Sequence, residues 1–423
     1  AYYEYRSHNP NTADGREAGA KAFELANEAA ARDPSQAAPH YTLGKIARDS
    51  GQSDKAIAEL REAVRLDPSN YLYSHDLGRS LFSAKRYQEA REFFQSATKS
   101  NPNFEPAWYN LGGTLNILGR QDEALSAYRQ AVSVKADYVS AHREIGRILQ
   151  AKGDTKGAVD AFSRALQYSP GDYNTLREIG AAYSQAANYT SAETFFAKAL
   201  DANSADAQTN YNMAVVKHEL KKHSEAVSFA KKAVDASPSN AVYVYTLGLA
   251  CESSGAAEAA IAAYKKAAAL DSKYLRPRIN LGSLCMLTGK LDEAVGYLNE
   301  AYSAEPANFE VNNNLGAVYA KKENWSYSIV HYERALSVKT NDPTVRFNLA
   351  RAYAGAGDLE KALSSYQTLL RLAPDNWDAM YELGMTCVGL GKSDDAKRYL
   401  QDLINMNPHY SSRNEAERIL RSL

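Results

Sequence analysis

Residues 108–131 read WYNLGGTLNILGRQDEALSAYRQA, and this stretch decides the fold. Its Leu111-Gly112 pair is echoed by Leu-Gly at 43–44, 77–78, 247–248, 281–282, 315–316 and 383–384, always at multiples of 34 residues. Ile145-Gly146, Ile179-Gly180, Met213-Ala214 and Leu349-Ala350 fill the gaps, so one register runs through eleven units from 37 to 410 without insertion or deletion. Twelve residues after each glycine comes a small residue, such as Ala124, and four later a large one, such as Tyr128. Alanine returns three residues on in nine units, as at Ala131, and proline closes seven of the units. Separations of 3, 4 and 7 put these side chains on one helical face. Small residues suit a close helix crossing and a large one fills the adjoining hole. Glycines at 51, 119, 153, 255, 289, 357 and 391 mark the end of a first helix, where a left-handed residue is often required. The prolines prevent the second helix from continuing. Each unit therefore reads as a helical hairpin stacked on the next.

The spacing resembles the tetratricopeptide repeat (TPR) family, whose signature W-x2-L-G-x2-Y, then A-x3-F, A and P, is well met by Trp108, Leu111, Gly112, Leu115, Ala124, Tyr128 and Ala131. The resemblance implies an all-α, right-handed superhelical solenoid. Length then counts repeats rather than globular domains. The expected layout is an N-terminal segment with a half repeat over 1–36 (helix about 17–32), eleven TPR units over 37–410, and a C-terminal capping helix over 411–423. The stretch AYYEYRSHNPNTADG carries turn signals in place of that half repeat's first helix. The cap is read from Ala416, Ile419, Leu420 and Leu423 on one stripe. It argues against a catalytic domain downstream. The sixth unit departs from the signature with Ala214, Lys217 and Ala230, which predicts looser packing there.

Composition excludes several function classes. With 49 basic and 50 acidic residues the formal charge is −1, against the basic excess usual in nucleic-acid binders. No apolar run reaches the length that spans a bilayer. Three cysteines in 423 residues form no disulfide scaffold. Cys251, Cys285 and Cys387 share one repeat position and read as buried small hydrophobes. The eight histidines are scattered, with His40 and His142 at the position of Trp108. No nucleotide-binding, metalloprotease or nucleophile-elbow motif occurs. No catalytic residue, metal ligand or cofactor is expected. Asn188-Tyr-Thr190 and Asn324-Trp-Ser326 match the glycosylation sequon.

Counting slots from the first residue of each unit (37, 71 and so on), the resemblance places slots 2, 5, 6, 9, 12 and 13 of the first helices on an inner groove. Three residue classes recur there. Asparagine fills slot 6 at Asn110, Asn212, Asn280, Asn314 and Asn348, the last three consecutive. An amide donates and accepts, so it can pair with peptide backbone of any sequence. The arrangement is similar to the asparagine ladder in the TPR superhelix of O-linked N-acetylglucosamine transferases. The alternative is that these amides bond a neighbouring unit. Aromatics fill slot 5 at Tyr41, Tyr109, Tyr211, Tyr245, Phe347 and Tyr381, as recognition contacts or as filling between adjacent first helices. Lys45, Arg48, His75, Arg79, Arg143, Arg147 and Arg177 form a basic cluster in the early units. It reads as a patch for an acidic ligand, or as cations neutralised by Glu144 and Glu178. The Lys and Asn pair of a two-carboxylate clamp is missing.

The expected function is a non-enzymatic scaffold binding an extended peptide or partner protein in the groove. The alternatives are a regulatory arm of a larger enzyme, such as a glycosyltransferase, and a self-associating homo-oligomer. The lack of methionine at Ala1 and the Tyr, Asn and Ser content favour an extracytoplasmic protein, periplasmic or lipid-anchored; the alternative is cytoplasmic.

Overall fold

The computed structural model describes residues 13–423, with side chains from Glu17 onward. The turn-rich stretch at 1–12 lies outside the described residues. All the described secondary structure is helical, in 24 helices. The first is Ala13–Arg32, with Ala22 and Ala26 buried. From Ala37–Asp49 and Ser53–Leu66 to Trp377–Gly389 and Ser393–Met406, helices of 13 and 14 residues alternate. The final helix, Arg413–Ser422, lays Ala416 against Leu400 and Ile404. The fold is an all-α helical solenoid. It divides into two compact bodies between Ser204 and Ala205, and each is described by itself.

The signature residues explain the hairpin. A Cβ added to Gly146 would stand 2.5 Å from the ring of Phe162, sixteen residues on in the second helix, a distance no real Cβ keeps. The glycine therefore admits the ring, and the small residue before it, Ala158, is fully buried in the crossing. The sixth unit changes both partners together. Ala214 faces Ala230, each 1% exposed, so the pair trades ring for methyl on one side and hydrogen for methyl on the other. The looser packing expected there is corrected by that compensation. Where Ser328 replaces the crossing alanine, its hydroxyl donates to the carbonyl of Gly316 (2.9 Å), so no polar group is orphaned.

Between the two helices the chain turns through one left-handed residue. The seven predicted glycines have φ between 69° and 81°. At Gly119 the following N–H of Arg120 reaches back to Leu115 O (2.9 Å), closing the helix in the Schellman manner. Lys85, Ala187, Lys221 and Glu323 occupy the same slot at φ 57–61°, at a cost that glycine avoids. The sequon asparagines are used structurally, since Asn188 and Asn324 are exposed and cap second helices through their side chains.

Candidate functional site

Consecutive residues on a helix point about 100° apart, so slots 5 and 6 flank a first helix on opposite sides. The slot 5 side chain leans toward the following unit, and slot 6 toward the preceding one. The result is a ladder with a 35-residue step, which the residue classes taken singly did not reveal. Tyr41 Oη donates to Asp76 (2.7 Å). Asn110 Nδ2 donates to His75 Nε2 (2.9 Å). Arg143 grips Glu178 with two bonds of 3.1 and 3.2 Å. Asn280 Nδ2 donates to Tyr245 Oη (3.2 Å) and lies 3.5 Å from Tyr264 Oη. Groove side chains thus satisfy one another across repeats.

The basic cluster resolves into two internally paired groups. Asp76, an acid with no place in the three residue classes, collects Lys45 (3.6 Å), Arg48 (3.2 Å) and Arg79 (3.5 Å). Burial alone would raise its carboxyl. Hydrogen bonds from His75 and Tyr41 and the charges of Arg48 and Lys45 outweigh burial and hold the carboxyl well below the usual range. Arg147 joins Arg143 on Glu178 and also pairs with Glu144 (2.6 Å). Arg177 stands apart, its guanidinium 5.8 Å from the Tyr173 ring centroid. The pairing follows the alternative reading, with acids built in rather than awaited.

The slot 5 aromatics likewise pack within the array. Tyr109 meets Tyr128 and Tyr138 at 5.5 and 5.0 Å between ring centroids. Tyr245 meets Tyr264 and Tyr274 at 5.6 and 5.2 Å. Tyr211, Phe347 and Tyr381 contact Tyr243, Tyr366 and Tyr410. Burial pushes the Tyr245 hydroxyl up, so it serves as a neutral donor and acceptor. Asn212 accepts from Gln208 (3.1 Å), which itself accepts from Tyr243 (3.0 Å).

In the last three units slot 6 loses its side-chain partner altogether. The slot 5 residue ahead of Asn314 is Ile279, which has nothing to bond. Ahead of Asn348 is Asn313, whose own Oδ1 is buried without a partner. Ahead of Glu382 is Phe347. Asn314, Asn348 and Glu382 consequently make no side-chain hydrogen bond or ion pair among the described residues. Of the three expected ladder amides, Asn280 is engaged and Asn314 and Asn348 are open.

A cleft of about 560 Å³ lies over this stretch, lined by Lys321, Trp325, Asn348, Arg351, Tyr366 and Glu382. Its depth comes from small residues at groove slots, Ala317, Ala320, Ala354 and Gly355. Arg351 and Lys321 are exposed and form no ion pair among the described residues. Tyr366 is fully buried and its hydroxyl has no partner. The equivalent Tyr264 hydroxyl is bonded to Glu252 (2.5 Å) from slot 12 of its own unit; in Tyr366's unit that slot holds Ala354.

The cysteines and two of the buried histidines have structural roles. The three cysteines are buried thiols, pushed up by burial. His142 bonds Ala136 O (2.8 Å), and His331 bonds Asn312 (3.0 Å) with burial lowering its pKa to about 4. Among the described residues no group of His, Cys, Asp and Glu is placed to hold a metal, and no helix is long and apolar enough to cross a membrane.

Solved structures resemble the chain in part. YrrB, described as a TPR protein with an unusual peptide-binding site, is 21% identical over 47% of this chain and 99% of its own, at a TM-score of 0.41. MamA of Desulfovibrio magneticus RS-1 is 23% identical over 41% of this chain and 97% of its own (0.39). The Cut9–Hcn1 hetero-tetramer structure is 15% identical over 96% and 93% (0.44). At these scores the likenesses carry neither shape nor partner. No curated protein matches in sequence. Family models described as tetratricopeptide repeat match residues 41–105 and 118–173, 149–209 and 353–413, and 207–240, 241–274 and 275–308. These matches span well over half of the sequence, and the chain belongs to the tetratricopeptide repeat family.

Proposed function

We propose that the protein is a non-enzymatic interaction scaffold that holds an extended peptide along the first helices of its last three repeats. The observation that carries this reading is the loss of side-chain partners at slot 6 there. In the seven earlier steps the slot 6 side chain is always bonded, at four by slot 5 of the preceding unit and at three, Glu144, Asn212 and Thr246, within its own unit. At Asn314 and Asn348 the amides stand half-buried and unpartnered, and a half-buried polar group gains most from a partner that a ligand brings. Extended backbone supplies donors and acceptors at regular steps, which suits amides one repeat apart. In the earlier units Asp76 and Glu178 are already bonded and offer a peptide little.

Selection of a displayed library of random peptides on the full chain tests this. The double variant Asn314→Ala/Asn348→Ala is expected to weaken the selected peptides about tenfold, the worth of two net hydrogen bonds. Asn110→Ala, which removes an amide already spent on His75, is expected to leave their affinity unchanged. Equal losses in the two variants, or none in the double variant, would refute the groove assignment.

A further inference from the structure

We infer that the cleft over Ala354 is a recognition site for a carboxylate carried by the bound peptide, with Tyr366 and Arg351 as its receptors. This rests on the peptide reading and adds a chemical class to it. The argument is internal to the chain, because one repeat already shows the occupied arrangement. In the seventh unit, Glu252 projects from slot 12, and Tyr264 Oη donates to its carboxylate at 2.5 Å. In the tenth unit the same tyrosine recurs as Tyr366, but slot 12 is Ala354. The carboxylate is missing and a cleft stands in its place.

Three independent features agree. The Tyr366 hydroxyl is buried in a fully covered side chain and makes no hydrogen bond, whereas buried hydroxyls ordinarily have partners. Arg351, one turn from Asn348 on the same helix, is exposed, and it lines the cleft unpaired. Lys321 adds a second cation against the single carboxylate of Glu382, so the rim carries a net positive charge. A guanidinium also takes a carboxylate with two parallel bonds. The hydroxyl is covered in the empty cleft, so the entering acid has to shift a neighbouring side chain; Arg351 is exposed and in no ion pair among the described residues, with only the Phe347 ring 5.9 Å from its guanidinium. Glu382 sits where Asn280 stands beside Tyr264, at the rim of the cleft.

The probes are pools of short peptides, random except for a central Glu, Gln or Lys. Each pool is made with an amidated and with a free C-terminus and presented to the full chain. The Glu pool is expected to bind about tenfold better than the Gln pool, as for one charge-assisted contact, and equally well with either terminus. A preference for the free terminus regardless of the central residue would overturn the side-chain source. Tyr366→Phe removes only an unbonded hydroxyl, so thermal stability is expected to hold while the Glu preference falls about threefold. Arg351→Gln is expected to abolish the preference. Ala354→Glu installs the chain's own carboxylate, as in the seventh unit, and is expected to block the Glu pool. Unchanged Glu-pool binding by that variant would overturn the proposal. If the pools bind alike but Asn314→Ala/Asn348→Ala still weakens all of them, the carboxylate site falls and the peptide groove stands.

Discussion

Two clefts in this chain are built from the same slots and end in opposite states. One, of about 410 Å³, includes Arg79, Phe82, Tyr109, Asn110, Gly113 and Glu144; the other includes Lys321, Asn348, Arg351, Ala354, Tyr366 and Glu382. Each carries asparagine at slot 6 of its central unit and glutamate at slot 6 of the next. In the first, Asn110 is held by His75 and Glu144 by Arg147. In the second, Asn348 and Glu382 are held by nothing among the described residues. The motif is thus no guide to availability. What differs is the residue 35 positions before the asparagine, the residue three positions after the glutamate (Arg147 against Met385), and the size of slots 9, 12 and 13. On the function proposed above, this groove takes a ligand where its own side chains leave slot 6 unpartnered.

The largest expected effect tests the closed side. Asp76→Ala removes the carboxylate that Lys45 and Arg48, both mostly buried, share, and is expected to cost about 3 kcal/mol in chemical denaturation. Glu382→Ala at the same slot is expected to cost less than about 0.5 kcal/mol. Equal costs would break the contrast between paired and open slots. Folding lowers the Asp76 pKa, so its stabilisation is present above the unfolded value near 4 and is lost as pH falls below it. Asp76→Asn is expected to flatten the acid limb of a melting-temperature profile.

A smaller effect comes from moving the boundary between the two states. Ile279→Tyr copies Tyr245 into the slot ahead of Asn314 and is expected to engage that amide, reducing peptide affinity about threefold. In the other direction, Tyr245→Phe frees Asn280 from its closer partner at a cost of about 1 kcal/mol. Isothermal titration with a selected peptide and thermal melting separate the two outcomes. Unchanged affinity in Ile279→Tyr would show that slot 5 does not gate slot 6. The smallest effect lies outside both clefts. Lys85→Gly and Glu323→Gly, at left-handed turns with φ 60° and 57°, are each expected to add about 0.5–1 kcal/mol to stability.

Much of this was legible in the sequence. The hairpins, the turn glycines and the helix-crossing residues all follow from the 34-residue register, because they depend on contacts within one unit or between neighbours. The sixth unit shows where position-by-position reading fails. Ala214 and Ala230 each look like a defect, yet they meet one another. The groove residues Asn110, Asn212, Asn280, Asn314 and Asn348 were found as a class, but the class mixed spent amides with open ones. Asp76 and Glu382 escaped notice because acids at slot 6 seemed unrelated to asparagines there. A comparison of each slot 5 with the slot 6 residue 35 positions on separates Asn110 and Asn280 from Asn314, but not Asn212, which bonds Gln208, nor Asn348, which stands behind another amide.

The sequence by itself determined the family, the helical hairpin, its register and the buried thiols, since strictly periodic packing writes its contacts at fixed separations. Only the tertiary structure decided which polar groups are satisfied. Hydrogen bonding is short-ranged and directional, so an amide's availability depends on whether a particular atom of the adjacent helix comes within about 3 Å. Asn280 meets such an atom and Asn348 does not. The Tyr366 hydroxyl, left without the glutamate that its counterpart Tyr264 bonds, carries that difference into the core of its own unit.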